Sequence, residues 1–515
     1  MRLFIASLLV MLACGAFGTD RQAWAAAAPT LTEVARAAGR DGGPALNAVY
    51  AERGFLPLWS GDPRAPARRE VLAALLAGDP WAAPLPAALP EADAAAADVA
   101  LTRAALDYLS RRSGGGPLEA ATAIRAMHRL AAASPGEPLA TALLELQLVQ
   151  DVGGWGRVST LPGPLPTVPP AAIASPEVDV APALPRRTTL PEPASLRRRL
   201  VQSGDLPPAA LTGPDDDPAL DAGIARFQLR HGLSADGVVG QRTLSTLNAP
   251  VAAQIATVRL NLARGTPDRS LLARYVAVDV PGSELRVVDQ GRTVLRSRAI
   301  VGDKDNATPI FDDRIRYVEI NPSWYVPTSI VPELLEKEAK KPGYLAANGF
   351  QWRGDGSSLV QKPGPTNALG RIKFLFPNHH AVYLHDTAQR GLFLRSQRSL
   401  SHGCVRVEKP DELALALLGS QGWDLSRLKA AYAAPRTLRI ELTRPVPVFL
   451  DYRTAFVDEQ GRLNLRPDIY GYDSAGVVEF DDQAPAPHSF VAADMVPAPV
   501  ATRSTAPAPT PRPAS

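Results

Sequence analysis

A chain of 515 residues with 55 basic and 52 acidic side chains has a formal charge of +3, too balanced for the broad positive field that nucleic-acid binding needs. With 46% hydrophobic residues it has material for several cores, and its length suits about three folded units. Fifty prolines put much of it into linkers, and two cysteines exclude both a disulfide scaffold and a cysteine-rich zinc module.

Arg2 precedes an apolar run from Leu3 to Phe17, and Ala23-Trp24-Ala25 supplies the small residues a signal peptidase reads, so residues 1–25 are expected to be a signal peptide. The run is shorter than the roughly 20 residues that span a bilayer, and no later uncharged stretch is long enough, so no stable transmembrane anchor is expected. The protein should be exported, to the periplasm or cell envelope. Cys14 follows Met11-Leu12-Ala13, an imperfect lipidation signal, and is expected to leave with the signal; lipidation is the open alternative. Cys404 then remains as a single thiol, either a buried small hydrophobe or a reactive nucleophile.

Residues 29–160 show apolar spacings of three and four, as in Val71, Leu72, Leu75, Leu76 and Leu101, Ala105, Leu109, and predict a helical scaffold domain. Gly114-Gly115-Gly116-Pro117 and Ser134-Pro135-Gly136 mark helix ends. A proline-dense linker is expected over 161–192, and a compact helical unit over 193–250. In that unit Phe227-Gln228-Leu229-Arg230-His231-Gly232-Leu233 runs into Asp236-Gly237-Val238-Val239-Gly240, where the glycines and the Asp-Gly dipeptide shape turns. This order of residues resembles the three-helix peptidoglycan-binding module of bacterial wall enzymes, which implies glycan as a partner.

From Tyr275 the period changes to that of strands. Val276, Val278 and Val280 alternate with their neighbours, and Leu285-Arg286-Val287-Val288 and Val294-Leu295-Arg296-Ser297 flank Asp289-Gln290-Gly291-Arg292 as a hairpin. A mainly β domain is expected over 273–444, then a β extension over 445–480 and a disordered proline-rich tail over 481–515. The fold class is therefore multidomain α+β.

Four of the seven histidines fall between His379 and His402, beside Cys404. In a strand, Tyr383 and His385 share one face while His380, Val382 and Leu384 share the other, so Tyr383 and His385 can address one site. A metal site built from His380, His385, His402 and Cys404 is disfavoured, because its spacings match no standard ligand pattern and the alternation separates His380 from His385. Gly403 allows close backbone approach and frees amide N–H groups for an oxyanion. A thiol needs a base or a cation to become reactive; His385 can be the base, and Arg406 can offer a cation to a carboxylate or hold the loop. His402, between Ser401 and Gly403, suits an orienting role. If a thiolate at Cys404 beside His385 is the reactive form, acid should slow acylation between about pH 5 and 8.

Ser401-His402-Gly403-Cys404-Val405-Arg406, preceded by Tyr383-Leu384-His385-Asp386-Thr387, resembles the signature of the L,D-transpeptidases with their YkuD-like catalytic domain. Thr308-Pro309, the run from Asn321 to Pro327, Leu369-Gly370-Arg371-Ile372-Lys373-Phe374 and Arg466-Pro467-Asp468-Ile469-Tyr470-Gly471 resemble the long, multidomain branch of that family. Arg53-Gly54-Phe55-Leu56-Pro57-Leu58-Trp59 resembles, more weakly, the scaffold domain of that branch. The resemblance implies Cys404 as acyl-accepting nucleophile, His385 as general base, the Gly403 and Cys404 amides as oxyanion hole, and Tyr383 at the donor site. Ser401, His402, Arg406 and Trp324 complete the expected substrate-binding set, and no metal or cofactor is implied. A capping insertion is expected at about 323–365, where Tyr344 and Phe350 pack a small cluster. The implied activity is formation of third-to-third residue cross-links between stem peptides through a thioester, in peptidoglycan biosynthesis, wall organisation and cell shape, with carbapenem-type β-lactams as inhibitors. The alternatives are an L,D-carboxypeptidase, an enzyme attaching D-amino acids or lipoproteins, and a non-catalytic wall-binding protein.

Overall fold

The computed structural model describes residues 29–82, 93–159, 192–214, 217–265, 267–354, 356, 358–434 and 436–480. The expected signal peptide with Cys14, the linker and the C-terminal tail lie outside the described residues. The fold is multidomain α+β, with a helical N-terminal region, a small helical module and a β-rich domain. The chain packs as two compact units: residues through 268 with 394–396 and 452–479, and residues 269–393 with 397–451.

In the first unit, helices Pro44–Glu52, Ala65–Ala77, Ala94–Arg112 and Ala120–Ala132 share one apolar core, to which Val49, Tyr50, Val71, Leu72, Leu101, Leu109 and Met127 belong. The amides of the turn at 53–59 gather on one carboxylate, while Arg68 and Arg69 donate to the Leu58 and Trp59 carbonyls. Asp98, on the helix Ala94–Arg112, is 1% exposed; it accepts the Tyr50 hydroxyl at 2.7 Å, the Leu58 and Trp59 amides at 2.9 and 2.7 Å and the Ser60 hydroxyl at 3.1 Å. Thr102, one turn on, meets the Tyr50 hydroxyl and accepts the Trp59 indole N–H at 2.9 Å.

The helical module consists of Pro193–Gln202, Pro218–Arg230 and Gln241–Leu247 around Leu200, Ile224 and Phe227. Its motif residues serve the turn: the Gln228 amide donates to Asp236 and to the Val238 carbonyl, both at 2.9 Å, and accepts from the Gly237 N–H at 2.9 Å. His231 stacks on Phe227 at 3.9 Å and bonds the Phe227 carbonyl through Nδ1 at 2.8 Å; burial, with Arg230 next to it, pushes its pKa down to about 3.

Residues 452–479 also belong to this unit. The hairpin Ala455–Val457 and Leu463–Leu465 lies against the helices Pro138–Asp151 and Val251–Arg264, where Asn261 exchanges bonds with Thr454 at 2.7 and 3.1 Å and Arg264 pairs with Asp473 at 2.7 Å.

The second unit is a closed sheet. Its strands are β1 (Arg274–Asp279), β2 (Glu284–Asp289), β3 (Arg292–Gly302), β4 (Asp312–Ile320), β8 (Ile372–Leu375), β9 (Leu384–His385), β10 (Ser399–Ser401), β11 (Val405–Val407) and β12 (Leu438–Asp451). They run in the order β10-β3-β11-β9-β8-β4-β12-β1-β2, and pairing of β2 with β3 closes the ring. Gln290 and Gly291, with φ of 49° and 73°, make the two-residue turn between β2 and β3. Strand β12 continues through residue 444, where the sequence places a domain boundary, because 446–449 pair with β4. Between β4 and β8 the insertion forms its own small sheet, β5 (Trp324–Tyr325), β7 (Leu359–Gln361) and β6 (Phe350–Trp352), with the helix Val331–Lys340. Phe350 and Tyr344 pack there with Val326, Leu334 and Leu359.

Candidate functional site

Four register pairs fix one row of side chains across the sheet. Arg439 on β12 pairs with Glu319 on β4, Glu319 with Lys373 on β8, Lys373 with His385 on β9, and His385 with Arg406 on β11. Directly paired residues point to the same face. The neighbouring row, Val318, Phe374, Leu384 and Val405, is fully buried on the opposite face. Alternation along β9 and β11 therefore puts Tyr383 and Cys404 on the face of His385 and Arg406. The rings of Tyr383 and His385 meet edge to face at 5.6 Å, and the Val405 amide donates to the Tyr383 carbonyl at 3.1 Å, which sets Cys404 beside Tyr383 with the Tyr383 amide and hydroxyl near the sulfur.

The loop that carries Cys404 is tied from several sides. Gly403 has a φ of 103°, which strains any residue with a side chain. Its carbonyl accepts the Thr308 hydroxyl at 2.8 Å, and the same hydroxyl accepts the Gly302 N–H at 2.8 Å. A Cβ on Gly302 would lie 2.0 Å from the Asn306 carbonyl oxygen, so glycine at 302 lets the 303–308 loop fold back to present Thr308. Ser401 is buried and donates to the Cys404 carbonyl at 2.5 Å, so its hydroxyl is engaged within the loop. His402 is half exposed, with Nε2 3.7 Å from Glu333 on the insertion's helix, which also takes Lys337 at 2.6 Å. Trp324, on β5, stands near the Tyr383 hydroxyl and packs against Phe350 with ring centres 6.0 Å apart. The structure thus gathers Cys404, Tyr383, His385, Arg406 and Trp324, and leaves His402 at the rim. His380 lies apart from His385, its ring 4.8 Å from Phe311.

His385 Nδ1 lies 2.5 Å from the Asp386 carbonyl oxygen. A carbonyl only accepts, so Nδ1 carries the proton and Nε2 keeps its lone pair. Burial, helped by the Arg406 and Lys373 cations, pushes the His385 pKa down to about 3, so the imidazole is neutral at ordinary pH. Burial of the sulfur raises the Cys404 thiol above its ordinary value, against the pull of the Tyr383 bonds and of the Lys373 and Arg406 cations. This corrects the expectation of an acid-sensitive thiolate between pH 5 and 8: the resting pair is a neutral thiol and a neutral imidazole throughout that range. Arg406 donates to Gln389 at 3.1 Å, while its buried Nε has no hydrogen-bond partner among the described residues.

Lys373, Glu319 and Arg439 carry no role in the sequence reading. Lys373 sits inside the run Leu369 to Phe374, and strand alternation there sets it opposite the apolar Ile372 and Phe374. Only the pairing of β8 with β9 shows that its face is that of His385.

Residues 273–422 match the family model described as the L,D-transpeptidase catalytic domain, and residues 189–247 the one described as "Putative peptidoglycan binding domain". A curated protein of Haemophilus influenzae (strain ATCC 51907 / DSM 11121 / KW20 / Rd) named "Putative L,D-transpeptidase" is 36% identical over 217 residues, 38% of this chain and 44% of that protein. The chain thus spans less than half the length of that relative. Among solved structures, the L,D-transpeptidase from Xylanimonas cellulosilytica DSM 15894 is 20% identical, with 53% of this chain and 100% of that chain covered and a TM-score of 0.21. Mycobacterium tuberculosis L,D-transpeptidase 1 is 14% identical, with 35% and 61% covered and a TM-score of 0.18. An L,D-transpeptidase in complex with imipenem is 14% identical, with 35% and 59% covered and a TM-score of 0.20. Over its two matched spans the chain carries the sequence pattern of an L,D-transpeptidase catalytic domain and that of a peptidoglycan-binding domain.

Proposed function

We propose that this chain is an exported cysteine acyltransferase of the cell envelope that links peptidoglycan stem peptides between third-position residues through a thioester. The observation that carries the reading is the His385 tautomer: with Nδ1–H spent on the Asp386 carbonyl, Nε2 is the basic nitrogen on the face that carries Cys404. In the first half-reaction the sulfur attacks the carbonyl joining the third residue of a tetrapeptide stem to its terminal D-alanine, while the thiol proton passes to His385 Nε2. The Gly403 and Cys404 amides hold the oxyanion. His385 then protonates the departing D-alanine amine, leaving the thioester. In the second half-reaction the side-chain amine of a neighbouring stem attacks, its proton goes to His385, and the sulfur leaves and recovers it. Tyr383 and Trp324 line the donor side, and Arg406, on the face of His385, suits a substrate carboxylate. His402 stands at the rim of this site, and Ser401 steadies the Cys404 backbone. The match over 189–247 supports glycan as a further partner.

The test is mass spectrometry of the protein after incubation with a stem tetrapeptide. A tripeptidyl adduct on the Cys404 peptide, with free D-alanine, supports the reading, and transfer to an added stem separates cross-linking from hydrolysis. No adduct in the wild type, or an unchanged one in Cys404→Ala, overturns it.

The neutral resting pair sets the pH behaviour. If the thiol proton moves to His385 during attack, the rate follows the neutral pair, whose population is constant from well above the His385 pKa of about 3 to below the raised thiol ionisation. Acylation by a carbapenem should therefore stay within about twofold between pH 5 and 8, failing only as acid protonates His385. A tenfold rise per pH unit, read by stopped-flow quenching of protein fluorescence, would instead mean that a pre-ionised thiolate attacks without His385.

A further inference from the structure

The mechanism above leaves Lys373 without a task, although it stands in the row that carries His385. Its Nζ lies 3.9 Å from the centre of the Tyr383 ring, and the hydroxyl of that ring lies near the Cys404 sulfur. An ammonium on the face of a ring whose edge holds a nucleophile is a cation one side chain removed from the sulfur. The groups around it come from every neighbouring strand. Glu319 is on β4 and Arg439 on β12, 4.0 Å apart; His385 and Tyr383 are on or beside β9; Arg406 is on β11. Glu319 pairs with Arg439 and stands directly across from Lys373 in the register, so the row keeps an excess of positive charge toward Cys404.

We propose that Lys373 is a positioning residue for the nucleophile: held on the Tyr383 ring and set across from Glu319, its ammonium supplies the positive field that lets the enclosed Cys404 sulfur carry negative charge as its proton passes to the neighbouring imidazole. The inference rests on the reading of Cys404 as nucleophile. It assigns Lys373 an electrostatic task with no proton to give or take: as S–H breaks and N–H forms at His385, the new charge on sulfur faces Lys373 through the ring. Glu319 sets the strength of that field, because it draws part of it away.

The test needs no acyl donor. The rate of iodoacetamide alkylation of the full-length chain, resolved at the peptide containing Cys404, is followed against pH and reports the ionised sulfur. Lys373→Met is expected to move the alkylation midpoint up by about one pH unit, making the reaction about tenfold slower at pH 7. Glu319→Gln, which leaves the ammonium without its counter-charge, is expected to move it down, with alkylation about threefold faster. Opposite shifts cannot come from general loosening of the site. A Lys373→Met midpoint at the wild-type value, or shifts of the same sign in both variants, overturns the proposal. Should Lys373→Met not fold, Glu319→Gln decides alone, and the absence of a downward shift overturns it. Failure of the tetrapeptide adduct experiment would strike the proposed reaction and leave this measurement standing.

Discussion

Replacing His385 by glutamine should slow acylation of Cys404 by about a thousandfold, within the 10²–10⁴ range typical of a lost general base. Glutamine preserves a polar side chain of similar reach, and its N–H can still meet the Asp386 carbonyl, but it offers no basic nitrogen for the thiol proton. Because the resting thiol is held un-ionised by its burial, no standing thiolate replaces the lost base at neutral pH. The loss should shrink in alkaline solution, where the thiol ionises by itself. Single-turnover acylation from pH 7 to above the thiol ionisation reads both parts. A variant within threefold of wild type at pH 7 would remove His385 from the reaction and leave the Lys373 field as the main activator. Cys404→Ser should give no adduct, since a serine hydroxyl is a far weaker acid in the same environment.

A second large effect is expected far from this chemistry. Asp98→Ala should destabilise the packing of the 53–59 turn by about 3 kcal/mol or more, because two backbone N–H groups lose their acceptor in a dry interior at a cost of roughly 1–3 kcal/mol each. Tyr50 keeps Thr102 and is less affected. Asp98→Asn retains one acceptor oxygen and should cost about half as much. Hydrogen exchange of peptides covering 44–59 and 94–112 measures this locally, without requiring the whole chain to unfold in one step. A change below about 1 kcal/mol for Asp98→Ala would show that the turn is held by the packing of Trp59 and Leu58 alone.

Asp98 also shows where sequence reading stops. The Arg53 to Trp59 run is conspicuous as text, yet its partner lies some forty residues on, one of two acids in an alanine-rich helix, and no local pattern joins them. Features set by neighbours in the chain were readable: the Gln290-Gly291 turn, the Gln228 and Gly237 corner, and the shared face of Tyr383 and His385. The row from Arg439 to Arg406 was not, because it depends on pairing among strands up to 120 residues apart, and a shift of one residue would turn Lys373 into the core. The ionisation of Cys404 and His385 was misjudged for a related reason. Residue types name the partners, whereas the degree of desolvation that drives the thiol up and the imidazole down comes only from the assembled sheet.

The return of residues 452–479 to the helical unit gives the chain a nested grammar. Apart from 394–396, everything from 269 to 451 is a parenthesis opened and closed inside another folded body. A gene ending after 451 would leave the helices Pro138–Asp151 and Val251–Arg264 without Ala455, Val457, Leu463 and Leu465, and Asn261 and Arg264 without the groups they bind. Evolution could therefore remodel or exchange the parenthesis without rewriting its frame, whereas shortening the tail end would injure the half of the protein made first.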